Sequence, residues 1–544
     1  MSVITTSHGR IRGSEEAGGV LRFAGIPFAA PPVGELRWRP PQPPEPWEGV
    51  RDASRFGNTA IQTIDTKMID FRSEVSEDCL YLNVWTTTTD ASAKQPVMFW
   101  IHGGGFLNGT SSADAYDGAA LAEAGVTVVS VNYRLGAFGF FNHDESGTNF
   151  GLLDWIAGLE WVRANAANFG GDPDNVLIFG QSAGAAAVRA LMHAPAARGL
   201  FHRAIIMSAG YDEYAHVSTP SFERTRIATD GLLARLGAAS VDEARLADAE
   251  QVRVASLAES GIFPPEGQLH TPANLVWYPA VDGATMVDGF GGWPHDVPVM
   301  IGVTDHEARL FVQPNGVYAH PEIDPAVAYT PDVLDAMAVR LAGDRAEAVV
   351  DAYSENGATP YEAIADLISE AVWFEPLLAT LDHFARDGRT AYAYRFTRVS
   401  PGNRESGMLS YHSSEVPYVL GNLVEGDKYE RADVAVSRSA QGAWVSFARG
   451  GTPLRPDGTP WSAYRVEEPV GEVIDVQSAA RPLVKSRVGS LIAELRTGVL
   501  VTTDHRTMKG AHRGGRPSSC GLCRQPSRSC ARRPNRSALA QCST

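Results

Sequence analysis

Short apolar runs alternate with amphipathic stretches along most of the chain. Several runs are apolar at every position, which is typical of central strands that helices cover on both faces. Helical patterns lie between them, most clearly at 151–169. This alternation predicts a doubly wound α/β fold with a large, mostly parallel sheet. The predicted strands are LYLNVWT (80–86), PVMFWI (96–101), VTVVSVNY (126–133), VLIF (176–179), AIIM (204–207), VPVMIGV (297–303) and AYAYRF (391–396).

Two segments break this rhythm, because residues 222–260 and 331–386 read as mainly helical. We predict that both are insertions packed over the sheet, where they form a lid or the wall of a gorge. Residues 1–500 are then predicted to form one domain. Residues 501–544 are rich in Arg, Ser, Pro, Gly and Cys and have almost no apolar periodicity, so a disordered tail is expected there.

Composition and charge limit the possible partners. Hydrophobic residues make up 44% and charged residues 20% of the chain, which is ordinary for a soluble globular protein. No apolar run approaches the roughly 20 residues that span a bilayer, and the N-terminus does not resemble a signal peptide. The net charge is −16 although residues 505–544 carry nine basic and no acidic side chains. The acidic charge of residues 1–504 argues against nucleic acid as a partner. Since no membrane span or signal peptide is seen, we expect a cytoplasmic monomer or weak homo-oligomer that does not bind membranes.

Cysteine usage supports the same compartment. Only Cys79 lies in the predicted domain of residues 1–500, so no disulfide can form within it. The tail holds the other four cysteines, and one pair has C-x2-C spacing, but the remaining spacings fit no common zinc module. We therefore predict no metal and no cofactor.

The pentapeptide GQSAG (180–184) places Ser182 between an apolar strand and a helix rich in Ala and Leu. A strand, a sharp turn at a serine and a helix are typical of a nucleophile elbow. Gly180 and Gly184 suit it, because a Cβ would obstruct the turn and the close packing of strand and helix. A chain with 53 glycines can also produce this pattern by chance, so a plain turn remains the alternative.

A second glycine-rich loop, WIHGGGF (100–106), follows a predicted strand about 80 residues before Ser182. Three successive glycines leave backbone N–H groups free to point at a ligand, as an oxyanion hole requires. In α/β-hydrolases the oxyanion loop comes first, followed by the serine, the acid and the histidine. Here WIHGGGF precedes Ser182, and candidate acids and histidines follow it.

Spacing alone does not identify the acid or the base. Asp305 and Glu307 both follow a predicted strand, and strand composition does not choose between them. His412 lies in a late loop, where catalytic side chains concentrate, and His306 is its rival. The other histidines after the serine in the predicted domain are His193, His202, His216, His270, His295, His320 and His383.

The chain resembles the type-B carboxylesterases, a family that includes bacterial para-nitrobenzyl esterases and animal cholinesterases. The resemblance spans about residues 8 to 495 and rests on long motifs. They are GIPFAAPPVGELRWRPPQPPEPWEGVRDAS (25–54), EDCLYLNVW (77–85), WIHGGGF, VNYRLGAFGF (131–140), GLLDWIAGLEWVRANAANFGGDPDNVLIFGQSAG (151–184), AIIMSAG (204–210), IGVTDHEA (301–308) and YHSSEVPYVLGN (411–422).

The resemblance implies a role for each matching residue. Ser182 is the nucleophile, Glu307 the acid and His412 the base, which makes Asp305 and His306 bystanders. Ser208 matches a serine that supports the acid. The oxyanion donors are implied to be the N–H groups of Gly104, Gly105 and Ala183.

Three departures from the family pattern bear on disulfides and on substrate. Ala60 stands where disulfide-bonded members have a partner for the cysteine at position 79, so Cys79 is expected to be a buried free thiol. The segment between Ala60 and Cys79 contains no Trp or Tyr, whereas cholinesterases use an aromatic there to hold a quaternary ammonium. Gln181 replaces the glutamate that cholinesterases carry beside the nucleophile. We therefore expect no preference for choline esters.

Together these features predict a serine carboxylesterase that cleaves short to medium acyl or aryl esters through an acyl-enzyme. The same residues could serve amide, thioester, lactone or carbamate substrates. A non-catalytic, cholinesterase-like binding module is the alternative from another class, but such proteins typically lose a member of the catalytic triad.

Overall fold

The computed structural model describes residues 2–63, 73–209, 221–261, 275–287, 295–312, 329–423, 426 and 428–503, with side chains up to residue 495. The described residues up to 496 form one compact unit. Three candidate histidines (His216, His270 and His320) and the predicted tail from residue 504 lie outside the described residues. No helix among the described residues is long and apolar enough to cross a membrane.

Eleven of the described strands form one sheet in the order β16-β15-β14-β13-β12-β11-β9-β10-β8-β4-β3. Two smaller sheets join β1-β2-β5 and β6-β7. The strands are β1 Val3–Thr6, β2 Gly9–Arg12, β3 Ser14–Glu15, β4 Leu21–Pro27, β5 Val50–Asp52, β6 Thr59–Ala60, β7 Val75–Ser76, β8 Tyr81–Thr86, β9 Gln95–Ile101, β10 Thr127–Val131, β11 Gly171–Gln181, β12 Arg203–Met207, β13 Val299–Thr304, β14 Ala391–Phe396, β15 Val470–Ile474 and β16 Ala479–Pro482.

The seven neighbouring strands from β15 to β10 run parallel, and antiparallel pairs occur only toward the two edges of the large sheet. This confirms the predicted large, mostly parallel sheet. Successive side chains of a strand point to opposite faces of the sheet, and both faces of the parallel strands are buried. Each of these strands therefore contributes apolar side chains to both faces. In β9, for example, Phe99 and Ile101 join one apolar cluster while Met98 and Trp100 join the other.

Helices cover both faces of the sheet. The two segments predicted as insertions are indeed helical, although their role as a lid or gorge wall stays a prediction. A π-helix, Glu370–Phe374, joins two α-helices of the second segment into one continuous rod. The α-helices are Ala119–Glu123, Gly136–Phe140, Phe150–Asn165, Ala183–Met192, Ser221–Leu236, Val241–Arg245, Ala249–Ala258, Arg309–Val312, Pro331–Ala342, Ala346–Glu355, Pro360–Ser369, Glu375–Arg386, Pro401–Glu405, Val416–Leu420, Arg431–Gly450 and Arg487–Thr503.

A buried ion pair ties the loop after β10 to the long helix Phe150–Asn165. The Arg134 guanidinium donates to both carboxylate oxygens of Asp154, at 2.6 and 2.8 Å, and the Arg134 backbone N–H donates to the same side chain at 3.1 Å. A further guanidinium N–H donates to the Arg39 carbonyl at 2.8 Å. Because both charges are buried, each depends on the other for its polar contacts.

We predict that Asp154→Ala lowers the free energy of unfolding by about 3–5 kcal/mol, because it leaves the buried Arg134 charge uncompensated. Urea unfolding measures this loss. The matched control is Asp144→Ala, which removes the highly exposed partner of Arg226 and should cost less than about 1 kcal/mol. Equal losses in the two variants would contradict the interpretation of the Arg134 pair.

Candidate active site

Ser182 lies at the turn between β11 and the helix Ala183–Met192, with φ 59° and ψ −124°. This left-handed backbone is strained for a residue with a side chain and turns the serine out of the sheet. The flanking glycines allow close packing, because a Cβ at Gly184 would lie 2.0 Å from the Ile101 carbonyl oxygen and one at Gly180 would lie 2.5 Å from the backbone of Gly184. The predicted steric reason for both glycines therefore holds in the structure.

The glycine-rich loop after β9 approaches the same turn. Gly104 and Gly105 have positive φ values of 112° and 62°. Their N–H groups donate no backbone hydrogen bond among the described residues. Ala183 is the first residue of its helix, so its N–H has no acceptor within the helix. Free N–H groups at a helix N-terminus and in a glycine loop are suited to binding an anion.

His102 fixes the base of the glycine-rich loop. Its Nδ1 lies 2.8 Å from the Gly103 carbonyl oxygen, and its ring stacks on Tyr133 at 4.5 Å between centroids. The Tyr133 hydroxyl donates to the His102 carbonyl at 3.0 Å. Complete burial lowers the pKa of His102 to about 4, so this histidine is neutral at ordinary pH and serves to hold the loop.

Glu307 and His412 form a buried pair. The Glu307 Oε2 atom lies 2.5 Å from His412 Nδ1, and both side chains are almost fully buried. The other carboxylate oxygen accepts from the Thr304 N–H at 2.8 Å, which fixes the carboxylate against the end of β13. A carboxylate on Nδ1 sets the tautomer of the imidazole and leaves the Nε2 lone pair for a second partner.

Two aromatic rings pack on the imidazole of His412. Phe311 and Trp373 lie 5.3 and 5.2 Å from it between centroids, and they stack on each other at 5.5 Å. Trp373 belongs to the π-helix, and its indole N–H donates to the Ser208 carbonyl at 3.1 Å. The rings shield the Glu307–His412 pair from water.

Gln181, the last residue of β11, reaches the other side of the imidazole. Its amide nitrogen lies 3.1 Å from His412 Nε2. Because Gln181 precedes Ser182 in the chain, this contact brings the histidine next to the elbow. The structure thus places His412 and Glu307 beside the turn that holds Ser182. The glycine-rich loop reaches the same turn, because a Cβ at Gly103 would lie 3.1 Å from the Ser182 Cβ.

Ser208 follows β12 and contacts a second carboxyl group, Glu415. The Ser208 hydroxyl donates to Glu415 Oε1 at 3.4 Å, and the structure records no contact of that hydroxyl with Glu307. Glu415 Oε2 is buried without a hydrogen-bond partner among the described residues. Burial, followed by the charge of Glu307, raises the pKa of Glu415 to about 8. Any support of the acid by Ser208 would pass through Glu415, and it stays a prediction.

Asp305 and His306 point away from this cluster. Asp305 forms an ion pair with Arg395, and His306 Nδ1 lies 3.1 Å from the Ser410 hydroxyl. Both line a separate cavity of about 330 Å³ that none of Ser182, Glu307 and His412 lines. Of the other candidate histidines, two that the structure describes contact backbone groups, namely His202 (Val176 N–H) and His295 (Ala194 carbonyl).

Four residues of this site are not evident from the sequence. His102 precedes the serine in the chain, so the chain order does not offer it as a base. Glu415 had a signal, since it stands three residues after His412 in HSSE. Phe311 and Trp373 gave none, because they lie in different helical segments that only the fold brings onto one imidazole.

Cys79, which is not among the site residues, is predicted to be a buried free thiol. Cys79 is a buried free thiol, and burial raises its pKa well above the usual value. Ala60 and Cys79 line the same small cavity of about 10 Å³. The two positions are therefore neighbours in space, as the resemblance implied, with an alanine where a second thiol would be needed. Among the described residues, no three His, Cys, Asp or Glu side chains are grouped so that they could hold a metal ion.

Comparison with known proteins accords with this geometry. The model of the carboxylesterase family matches residues 1–487. Para-nitrobenzyl esterase of Bacillus subtilis (strain 168) is 34% identical over 493 residues, which cover 86% of this chain and 93% of that protein. The chain belongs to the carboxylesterase family. Fumonisin B1 esterase of Sphingopyxis macrogoltabida is 34% identical over 484 residues, which cover 84% of each protein.

A solved structure of PNB esterase has a TM-score of 0.75 and 31% identity, and the match covers 90% of this chain and 99% of that one. The predicted family and the α/β-hydrolase fold are thereby confirmed, and so is the predicted class of enzyme, a carboxylic ester hydrolase.

We predict that the free energy of unfolding decreases less with rising pH in Glu415→Gln than in the wild type. The unfolded chain ionises Glu415 near its ordinary pKa, whereas the folded protein keeps it protonated until about pH 8. The wild type therefore loses a few kcal/mol of folding free energy from this group as pH rises from 5 to 8, and the glutamine variant does not. Thermal unfolding of both proteins across this range measures the difference. A gap in melting temperature that stays constant with pH would contradict the prediction.

Proposed function

We propose that Ser182 is the nucleophile of this esterase, His412 its general base and Glu307 the acid that orients the base. The Glu307–His412 hydrogen bond beside the strained Ser182 turn is the observation that carries the proposal. The backbone N–H groups of the two glycines and of Ala183 are proposed to bind the oxyanion.

In the proposed mechanism, His412 Nε2 takes the proton of the Ser182 hydroxyl as its oxygen attacks the ester carbonyl. The negative charge that develops on the carbonyl oxygen is stabilised by the free N–H groups of Gly104, Gly105 and Ala183. The imidazolium, stabilised by Glu307, then protonates the departing alcohol. Water repeats the sequence on the acyl-enzyme, with His412 again as the base, and releases the acid.

We propose short to medium acyl or aryl esters as the substrates. Two similar proteins are named as esterases of a para-nitrobenzyl group and of fumonisin B1. Gln181 supports a general ester substrate, because its neutral amide places no negative charge beside the imidazole where cholinesterases carry a glutamate. The loop in which cholinesterases hold a quaternary ammonium corresponds to 61–78, and residues 64–72 of it lie outside the described residues.

The organisation predicted from the sequence also stands as a proposal. Residues 1–500 would form the esterase domain, with the helical segments at 222–260 and 331–386 over its site. We propose that the protein is bacterial and cytoplasmic and that it acts as a monomer or weak homo-oligomer. We propose no binding partner other than its ester substrate. The free thiol of Cys79 supports a reducing compartment.

We predict that Ser182→Ala lowers kcat for para-nitrophenyl acetate by about 10⁶-fold, because the acyl-enzyme can no longer form. The matched control is His306→Ala, which removes a histidine near the acid but outside the site and should keep most activity. Steady-state kinetics on folded variants checks both. Near-normal turnover by Ser182→Ala would refute the nucleophile, and collapse of His306→Ala with survival of His412→Ala would reverse the choice of base.

We also predict that acetylcholine and its uncharged isostere 3,3-dimethylbutyl acetate are hydrolysed with kcat/KM values within about threefold of each other. A desolvated cation–π site contributes about 2 kcal/mol, which would favour the cation by roughly 30-fold. Measuring both esters under the same conditions isolates the charge, because the two alcohols have nearly the same shape. A strong preference for acetylcholine would show a cation site and overturn this part of the proposal.

A further inference from the structure

The hydroxyl of Ser182 has no hydrogen-bond partner among the residues that the structure describes. A general base usually engages the nucleophile at this point, with His412 Nε2 accepting from the serine. Here the atom found on Nε2 is the amide nitrogen of Gln181, at 3.1 Å. The lone pair that the mechanism requires is therefore occupied by a neighbouring side chain in the free protein.

The hydrogen-bond direction at this contact follows from the partner on the other ring nitrogen. Glu307 accepts from Nδ1, so a neutral His412 carries its proton there and Nε2 can only accept. The Gln181 amide must then present its N–H₂ group. Both side chains are almost fully buried, so bulk water competes little with this bond.

The carbonyl end of the same amide lies beside the oxyanion loop. A Cβ at Gly103 would come within 3.3 Å of Gln181 Oε1, and the structure records no hydrogen bond to that oxygen from a described residue. The amide is therefore held at its nitrogen only, and releasing the imidazole breaks a single neutral hydrogen bond.

We propose that Gln181 is a positioning residue that holds His412 in the free enzyme and competes with Ser182 for Nε2. This inference rests on the proposed catalytic roles of Ser182 and His412. Each reaction cycle then begins with the exchange of one donor on Nε2, the Gln181 N–H, for another, the Ser182 hydroxyl. A neutral hydrogen bond of ordinary strength would slow attack by the serine by about three- to tenfold.

The test is the rate at which diethyl 4-nitrophenyl phosphate modifies the serine. In this single step the Ser182 oxygen bonds to phosphorus, 4-nitrophenolate leaves and the serine proton passes to His412. Gln181→Met keeps the side-chain volume and removes the donor, so we expect it to react about three- to tenfold faster than the wild type at pH 8. Gln42→Met, the same change at a residue remote from the site, should leave the rate unchanged.

A second variant separates this role from simple packing. The carboxylate of Gln181→Glu cannot donate to Nε2 but accepts from a protonated His412, so the acidic limb of the rate–pH profile should move up by about one pH unit. The other carboxyl groups near His412 among the described residues are Glu307 and Glu415, which are unchanged, and the packed rings of Phe311 and Trp373 are uncharged.

The outcomes distinguish this inference from the proposed function. A wild type that reacts, with a folded Gln181→Met no faster, would overturn the inference alone. If Gln181→Met fails to fold, Gln181→Asn replaces it, because an amide one methylene shorter does not reach Nε2, and the same acceleration is expected. A folded wild type that does not react at all would overturn the proposed function and this inference with it.

Discussion

The site depends on one close approach, that of the helix Ala183–Met192 to the end of β9. A Cβ at Gly184 would lie 2.0 Å from the carbonyl oxygen of Ile101, so only glycine permits this spacing. The approach sets the helix N-terminus beside the glycine-rich loop and forces Ser182 into a left-handed backbone. The glycine-rich loop and the helix N-terminus thereby come close together, as the proposed oxyanion hole requires. The strain at Ser182 is held by the surrounding packing and lies at the proposed nucleophile.

The neighbouring parallel strands bring the other residues of the site to one edge of the sheet. The Ser182 N–H donates to Met207 at the end of β12, and the Ser208 N–H donates to Gly302 in β13, so each strand end is hydrogen-bonded to the next. Side chains that follow parallel strands therefore collect at one edge. His412 arrives from a loop instead, and its backbone N–H contacts the Glu307 carbonyl at 3.4 Å. The register of the sheet thus positions Glu307, and Glu307 in turn positions His412.

Most of the fold was predictable because its signals are local or carried by long motifs. Uniformly apolar strands such as β9 and the steric demand at Gly180 can be read from composition and geometry. The choice of Glu307 over Asp305 could not, since both follow the same strand. The resemblance made that choice, and it stays a prediction; the structure pairs Asp305 with Arg395 and Glu307 with His412. The contact between Trp373 and His412 could not be predicted from the sequence. It depends on how a π-helix orients one ring toward a loop that is distant in the chain.

Charge around the imidazole follows from the same packing. Two carboxyl groups, Glu307 and Glu415, are buried near each other, and such a pair cannot both be charged at low cost. Burial and the charge of Glu307 raise the pKa of Glu415 to about 8, so near neutral pH Glu415 keeps its proton. Gln181 on the opposite side is neutral as well. In the proposed mechanism Glu307 then carries the negative charge that balances the imidazolium of His412. Among the described residues around that imidazole, neither Gln181 nor the protonated Glu415 adds a second negative charge.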